Sequence, residues 1–133
     1  MRVFLDTNIV VYLYTSTEEE KRLRAAKILL ENEPVSSTQV LNELSNVLSK
    51  KYSFTWKEIS KVHAEVCNQM RIEIVTPDII SKAYDFAGRY HFSFYDSLIV
   101  ASALEANCEL LYSEDFQHLQ MISNSLRILN PFV

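Results

Sequence analysis

The chain has 133 residues, of which 48% are hydrophobic and 23% charged, with a formal net charge of −4. That length fits one domain with a core of its own, and the composition excludes disordered, fibrous and disulfide-stapled classes. The longest apolar runs, "IVVYLY" and "LIVASAL", fall far short of the roughly 18 residues that a membrane-spanning helix needs, and a single glycine, Gly88, rules out GxxxxGK, GxGxxG and GxSxG loops, which need several.

The opening stretch "MRVFLDTNIVVYLY" has the apolar content of a secretory leader, but Asp6 and Asn8 interrupt it and no small-residue cleavage site follows. A cytoplasmic protein is expected. Cys67 and Cys108 suit a reduced compartment without a disulfide framework.

In chain order, "RVFL" (2–5) predicts a short strand, ended by the turn and cap residues "DTN". A short helix, "IVVYLY", comes next. In "TSTEEE", Ser16 or Thr17 with a glutamate three residues on predicts a capping box for a helix to about Glu31. A brief strand at 35–37 then leads into "STQVLNELSNVLSK", which has helical period. Thr55 with Glu58 repeats the capping box and opens a helix through Met70. "RIEIV" alternates like a strand, and Thr76-Pro77 is an N-cap followed by a proline at the first helical position, for a helix to about Tyr90. A helix over 93–106, a strand in "CELLY", a loop in "SEDFQH" and a last strand in "LRIL" complete the chain.

Strands alternate with helices from end to end, with no linker, repeat or low-complexity segment. This is the pattern of a single α/β domain over 1–133, three layers deep, with a central parallel sheet of about five strands covered by helices on both faces.

Four acids draw notice in such a fold, because ligands of open α/β sheets bind beyond the carboxyl ends of the strands, where strand order reverses. Asp6 follows the first strand and Asp115 follows the fourth. Asp96 sits near the head of its helix with Ile99, Val100 and Ala103 on the same face, and Glu43 stands at the edge of the stripe of Val40, Leu44, Val47 and Leu48. Each has a plainer reading. Asp6 reads equally as a helix cap, Asp96 as the third residue of a helix capped by Ser93, Glu43 as a solvent-facing glutamate, and Asp115 as an ordinary loop residue. Their convergence weighs against four separate explanations, since burying carboxylates together costs several kcal/mol each unless they protonate or a cation joins them. Arg2 and Arg89 are the basic residues with a route through space. A hard divalent cation is the cheaper solution, and oxygen-only ligands select Mg²⁺ or Mn²⁺ over zinc.

With "FLDTN", "STQVLNE", "FSFYDSLIVASA", "LLYSEDFQH" and "LRILNPF" in this order, the sequence resembles the PIN-domain proteins, close to the VapC-like toxins of toxin–antitoxin modules. The resemblance spans essentially the whole chain. It implies a Mg²⁺- or Mn²⁺-dependent endoribonuclease whose catalytic, metal-holding acids fall on Asp6, Glu43, Asp96 and Asp115. Thr7, Asn8 and Ser113 fall on positions that support the ligands or a bound water. It also implies an RNA substrate, a small antitoxin partner that could put a cation into the acidic site, and a homodimer.

The acidic net charge is no obstacle to RNA. With those four acids set aside, thirteen acidic side chains face thirteen basic ones. Lys50, Lys51, Lys57 and Lys61, interleaved with Tyr52, Phe54 and Trp56, read either as an RNA-contacting stretch or as a loop and a solvated helix edge. His63 and Cys67 are half of a zinc site without a second pair and read as helix-face packing, while His91 and His118 read as surface histidines. Tyr95 reads equally as core or as a substrate platform, and "EEEKRLR" as a solvated helical face. Two other functions compete with the toxin: an RNA-processing PIN nuclease without an antitoxin, and a non-catalytic module whose acids pair with a basic partner segment. An aspartyl nucleophile for phosphoryl transfer is disfavoured because "DTN" lacks a second aspartate two residues on.

Overall fold

The computed structural model describes residues 1–133. Its elements run β1 (Arg2–Leu5), α1 (Thr7–Tyr14), α2 (Glu19–Glu31), β2 (Glu33–Ser37), α3 (Thr38–Lys50), α4 (Trp56–Gln69), β3 (Arg71–Glu73), α5 (Pro77–Tyr90), α6 (Phe94–Glu105), β4 (Leu110–Tyr112), β5 (Met121–Ile122) and β6 (Leu126–Leu129). The sheet order is β3-β2-β1-β4-β6-β5, parallel throughout except for β5. From β1 the chain builds outward one way to β2 and β3, then returns to the other side for β4 and β6. Right-handed crossovers in both directions place helices on both faces. β1 is covered twice over, so Val3, Phe4 and Leu5 are all fully buried, the unbroken apolar run expected of a central parallel strand.

Two details depart from the sequence reading. The sheet has six strands rather than about five, because Met121–Ile122 folds back antiparallel on β6. Ser123 and Asn124 both take positive φ there, the backbone a tight hairpin requires, without a glycine to mark the turn in the sequence. The capping box expected at Ser16 or Thr17 does not form: Glu18 is the N-cap of α2 and makes no side-chain cap bond. Glu19 is drawn instead to Arg22, whose Nε donates to it at 3.1 Å. The apolar α6 is buried on nearly every side, as its sequence implies. Ser97 through Ala103 are all buried, and the helix packs against α5, α3 and β2.

The other helix starts form as the sequence predicts. Thr55 and Glu58 make a complete capping box, Thr76 accepts from Ile79 N ahead of Pro77, and Ser93 accepts from Asp96 N at 3.1 Å. Each cap fixes where a helix begins, and therefore which residues face the carboxyl rim of the sheet. Thirty buried apolar side chains form one continuous core beneath that rim.

Candidate active site

At the carboxyl end of β1 the ladder continues one residue past the strand, with Asp6 N donating to Tyr112 O at 3.0 Å. This sets Asp6 beside Ser113, in the crevice between β1 and β4 where strand order turns. Asp6 is 3% exposed. Its carboxylate accepts from Thr7 N and from Ser113 Oγ, both at 2.7 Å. It is thus the N-cap of α1, as the plainer reading holds, while its second oxygen belongs to the rim. Burial pushes its carboxyl up to about 7, and repulsion from Asp115 and Glu43 adds to the rise against the two hydrogen bonds.

Glu43 and Asp115 are tied to the residues around Asp6, whereas Asp96 is hydrogen-bonded only to Ser93. Thr7 Oγ1 donates to Glu43 Oε2 at 2.6 Å, and Gln39 Nε2 donates to Glu43 Oε1 at 3.0 Å, so Glu43 is held by both oxygens rather than leaning free into solvent. Asn8 Nδ2 donates to Asp115 Oδ2 at 3.0 Å, and Asp115 N donates to Ser113 Oγ at 3.1 Å. Asp115 itself is exposed. Asp96 is half-buried in the first turn of α6, its carboxyl raised by burial and then by Asp115 and Glu43. An aromatic pair clasps the two segments that carry Asp96 and Asp115, with Phe92 meeting Phe116 edge-on at 5.1 Å.

No ion pair involves any of these four carboxylates. Arg2 donates to Ala106 O and Arg89 pairs with Asp85, so neither route for a compensating arginine is used. The cluster therefore carries uncompensated charge in a partly dry place, and its donors are all oxygen. That chemistry fits a hard divalent cation. No three acidic, histidine or cysteine side chains are gathered into a ready-made ion cage.

A cavity of about 310 Å³ opens beside the cluster, with Thr7, Asn8, Tyr12, Glu43, Lys51 and Asp115 among its lining residues. Asp6 and Asp96 do not line it. Of the basic and aromatic stretch singled out in the sequence, Lys51 and Tyr52 reach this cavity, with Lys51 Nζ over the Tyr52 ring at 5.6 Å. Lys50, Lys57 and Lys61 are exposed and outside its lining, Phe54 turns to a neighbouring cavity with Tyr52, and Trp56 is 70% exposed. His63 and Cys67 lie 3.6 Å apart on an exposed face of α4, not packed as expected. His91 is an exposed left-handed C-cap, and His118 accepts from Asn130 N at 2.9 Å. Tyr95 is exposed and so is not core.

Two supports escape the sequence reading. Gln39, one turn before Glu43, carried a visible signal in its i−4 spacing. Lys21 did not, because its partner is 93 positions away: it leaves the solvated face of α2 and bonds Glu114 at 3.1 Å and the Tyr12 hydroxyl at 3.2 Å. It also lies 4.9 Å and 5.2 Å from the Tyr12 and Phe132 ring centres. Tyr12 donates to Glu114 in turn, and burial followed by that carboxylate pushes its phenol up to about 12. The loop bearing Asp115 is thereby anchored one residue upstream.

The family model of the PIN domain matches residues 3–121. No curated protein matches the sequence. Among solved structures, the chain is similar to a toxin–antitoxin complex from Klebsiella pneumoniae, at 20% identity and a TM-score of 0.74, covering 97% of each chain. It is similar as well to the sarcin-ricin loop cleaving toxin VapC20 of Mycobacterium tuberculosis, at 19% identity and a TM-score of 0.71, over 85% of this chain and 91% of that one. VapBC2 from Rickettsia felis, bound to a DNA fragment from its promoter, matches at 19% identity and a TM-score of 0.71, over 98% and 100%.

Proposed function

Because the chain belongs to the PIN-domain family, we propose that it is a divalent-metal-dependent endoribonuclease, the toxin of a type II toxin–antitoxin pair. The observation that supports this reading is a set of carboxylates without an ion-pair partner, three of them, Asp6, Glu43 and Asp115, linked through Ser113, Thr7 and Asn8, with Asp96 near enough to feel the charge of Asp115 and Glu43. Asp6, Glu43, Asp96 and Asp115 would hold Mg²⁺ or Mn²⁺, which when bound supplies an activated water and offsets charge on the phosphate.

The chain's own residues do the rest. Ser113 and Thr7 N fix both oxygens of Asp6, while Thr7 Oγ1 and Gln39 fix Glu43, so two acids face the rim with no rotamer freedom to lose. Asn8 holds Asp115, the most exposed of the four and the best placed to pass a proton to solvent.

The same uncompensated charge supports an antitoxin that reaches the cluster with a basic side chain, and the Tyr12 to Tyr52 cavity beside it offers apolar surface for the rest of that segment. A homodimer is part of the proposal. So are two narrower alternatives: a processing nuclease without an antitoxin, which the neighbouring reading frame would tell apart, and a binding module that cuts nothing.

Labelled RNA is to be incubated with wild type, Asp6→Asn and Asp96→Asn in Mg²⁺, Mn²⁺ or EDTA. Cleavage by wild type alone, and only with metal, is expected. Metal-independent cleavage, or full activity in both variants, overturns the nuclease. Absence of cleavage with calorimetric binding of a basic peptide, lost in Asp96→Asn, transfers the case to the binding module.

A further inference from the structure

Three aromatic rings stand in solvent immediately before Asp96. Tyr84 on α5 is 63% exposed, and Phe94 and Tyr95 in the first turn of α6 are 41% and 60% exposed. They touch one another: Tyr84 and Phe94 stack with centroids 5.9 Å apart at 26°, and Phe94 meets Tyr95 at 5.6 Å. Three rings left in water, joined through Phe94, forgo burial that folding ordinarily secures, and such patches mark interaction sites.

The charges around them narrow what can dock. Lys82 is engaged by Glu105 at 3.0 Å and approached by Asp78 at 3.8 Å, and Arg89 is engaged by Asp85 at 3.2 Å. Asp96 itself follows directly along the helix. This ledge offers no spare positive charge to a phosphate. It offers flat π faces, which every nucleobase matches regardless of sequence.

We propose that Tyr84, Phe94 and Tyr95 form a stacking subsite for an unpaired nucleobase of the RNA strand whose phosphate lies at the carboxylates. The inference rests on the nuclease reading. A base inside a duplex has both faces covered by its neighbours, so the ledge selects loops and single strands. It also provides a grip on the substrate that is independent of salt-screened phosphate contacts.

The test uses a single-stranded RNA hexamer with 2-aminopurine at each position in turn, bound in Ca²⁺ in place of Mg²⁺ to hold the strand uncut. One position is expected to be quenched in wild type. That quenching should vanish in Tyr95→Ala and Tyr84→Ala and return in Tyr95→Trp. Making the quenched position abasic should weaken wild-type binding at least about five-fold and leave Tyr95→Ala unaffected. Binding with no quenched position, or quenching unchanged in both alanine variants, overturns the subsite while metal-dependent cleavage keeps the nuclease. Sedimentation separates the other occupant: a dimer that falls to monomer in Tyr95→Ala with RNA affinity intact assigns the ledge to a second copy and overturns the proposal. If wild type neither binds nor cuts RNA, both readings fall together.

Discussion

Thr7 Oγ1 donates a 2.6 Å hydrogen bond to Glu43, joining the residue after Asp6 to a helix 36 positions further along the chain. Thr7 thus couples two of the four acids, its amide donating to Asp6 and its hydroxyl to Glu43, and it is itself buried.

Thr7→Val keeps the shape of the side chain and removes this donor. Gln39 still holds the other oxygen of Glu43, so the fold should survive while catalytic efficiency falls about 10- to 100-fold, the usual effect of losing a partner that orients a ligand. Thr7→Ser should recover most of it. Steady-state cleavage rates of the two variants check this, and equal activity in Thr7→Val would leave Glu43 placed by the helix alone.

The raised carboxyl of Asp6 predicts a stability profile for the metal-free protein. Its native pKa, about 7, exceeds the ordinary carboxyl value of 3.8, so between these values the folded state retains a proton that the unfolded chain releases. Stability therefore falls as pH rises through that window, and the penalty is complete above about pH 7, reaching on the order of 4 kcal/mol. Asp6→Asn in EDTA should melt higher than wild type at pH 8, with the gap closing near pH 4. Adding Mn²⁺ at pH 8 should raise the melting temperature of wild type and much less that of the variant. A stability gap between Asp6→Asn and wild type that does not widen from pH 4 to 8 without metal would contradict the assignment.

Ser113 serves two acids, donating to Asp6 Oδ2 and accepting from Asp115 N. Ser113→Ala should cut Mn²⁺ affinity about 10- to 100-fold, since it frees one ligand and loosens the loop that carries another. Calorimetric titration measures the affinity directly, without reference to turnover. An unchanged Kd would mean that Asp6 is oriented by Thr7 N alone.

Ser102 lies at the centre of α6 with a fully buried hydroxyl and no hydrogen-bond partner. An unpaired buried hydroxyl costs about 1–3 kcal/mol, so Ser102→Ala should stabilise the protein by about 1 kcal/mol after the small loss of packing. Urea unfolding reads this as a higher midpoint at an unchanged slope. Destabilisation would indicate that the hydroxyl has a partner in solution.

The architecture was legible because it follows from period and punctuation. Thr55 with Glu58, Thr76 before Pro77 and Ser93 before Asp96 each advertise a helix start by local chemistry, and all three form. β5 was not legible: two residues are too few to show alternation, and a Ser-Asn turn lacks the glycine that announces a hairpin. At Ser16 and Thr17 the pattern was present but lost to a competitor, Arg22. For the site, residue types and positions after strands single out the acids. What holds them is nonlocal: Thr7 with Glu43, Asn8 with Asp115 and Lys21 with Glu114 are pairings that topology creates and spacing cannot express.

The position of β1 at the middle of the sheet carries one more implication. Asp6 is synthesised more than a hundred residues before Ser113 and Asp115, which join it only when β4 seats beside β1. A chain interrupted before that point has no second wall to its crevice. A part-made chain therefore lacks the assembled carboxylate cluster, and a truncation before β4 removes both Ser113 and Asp115 from it.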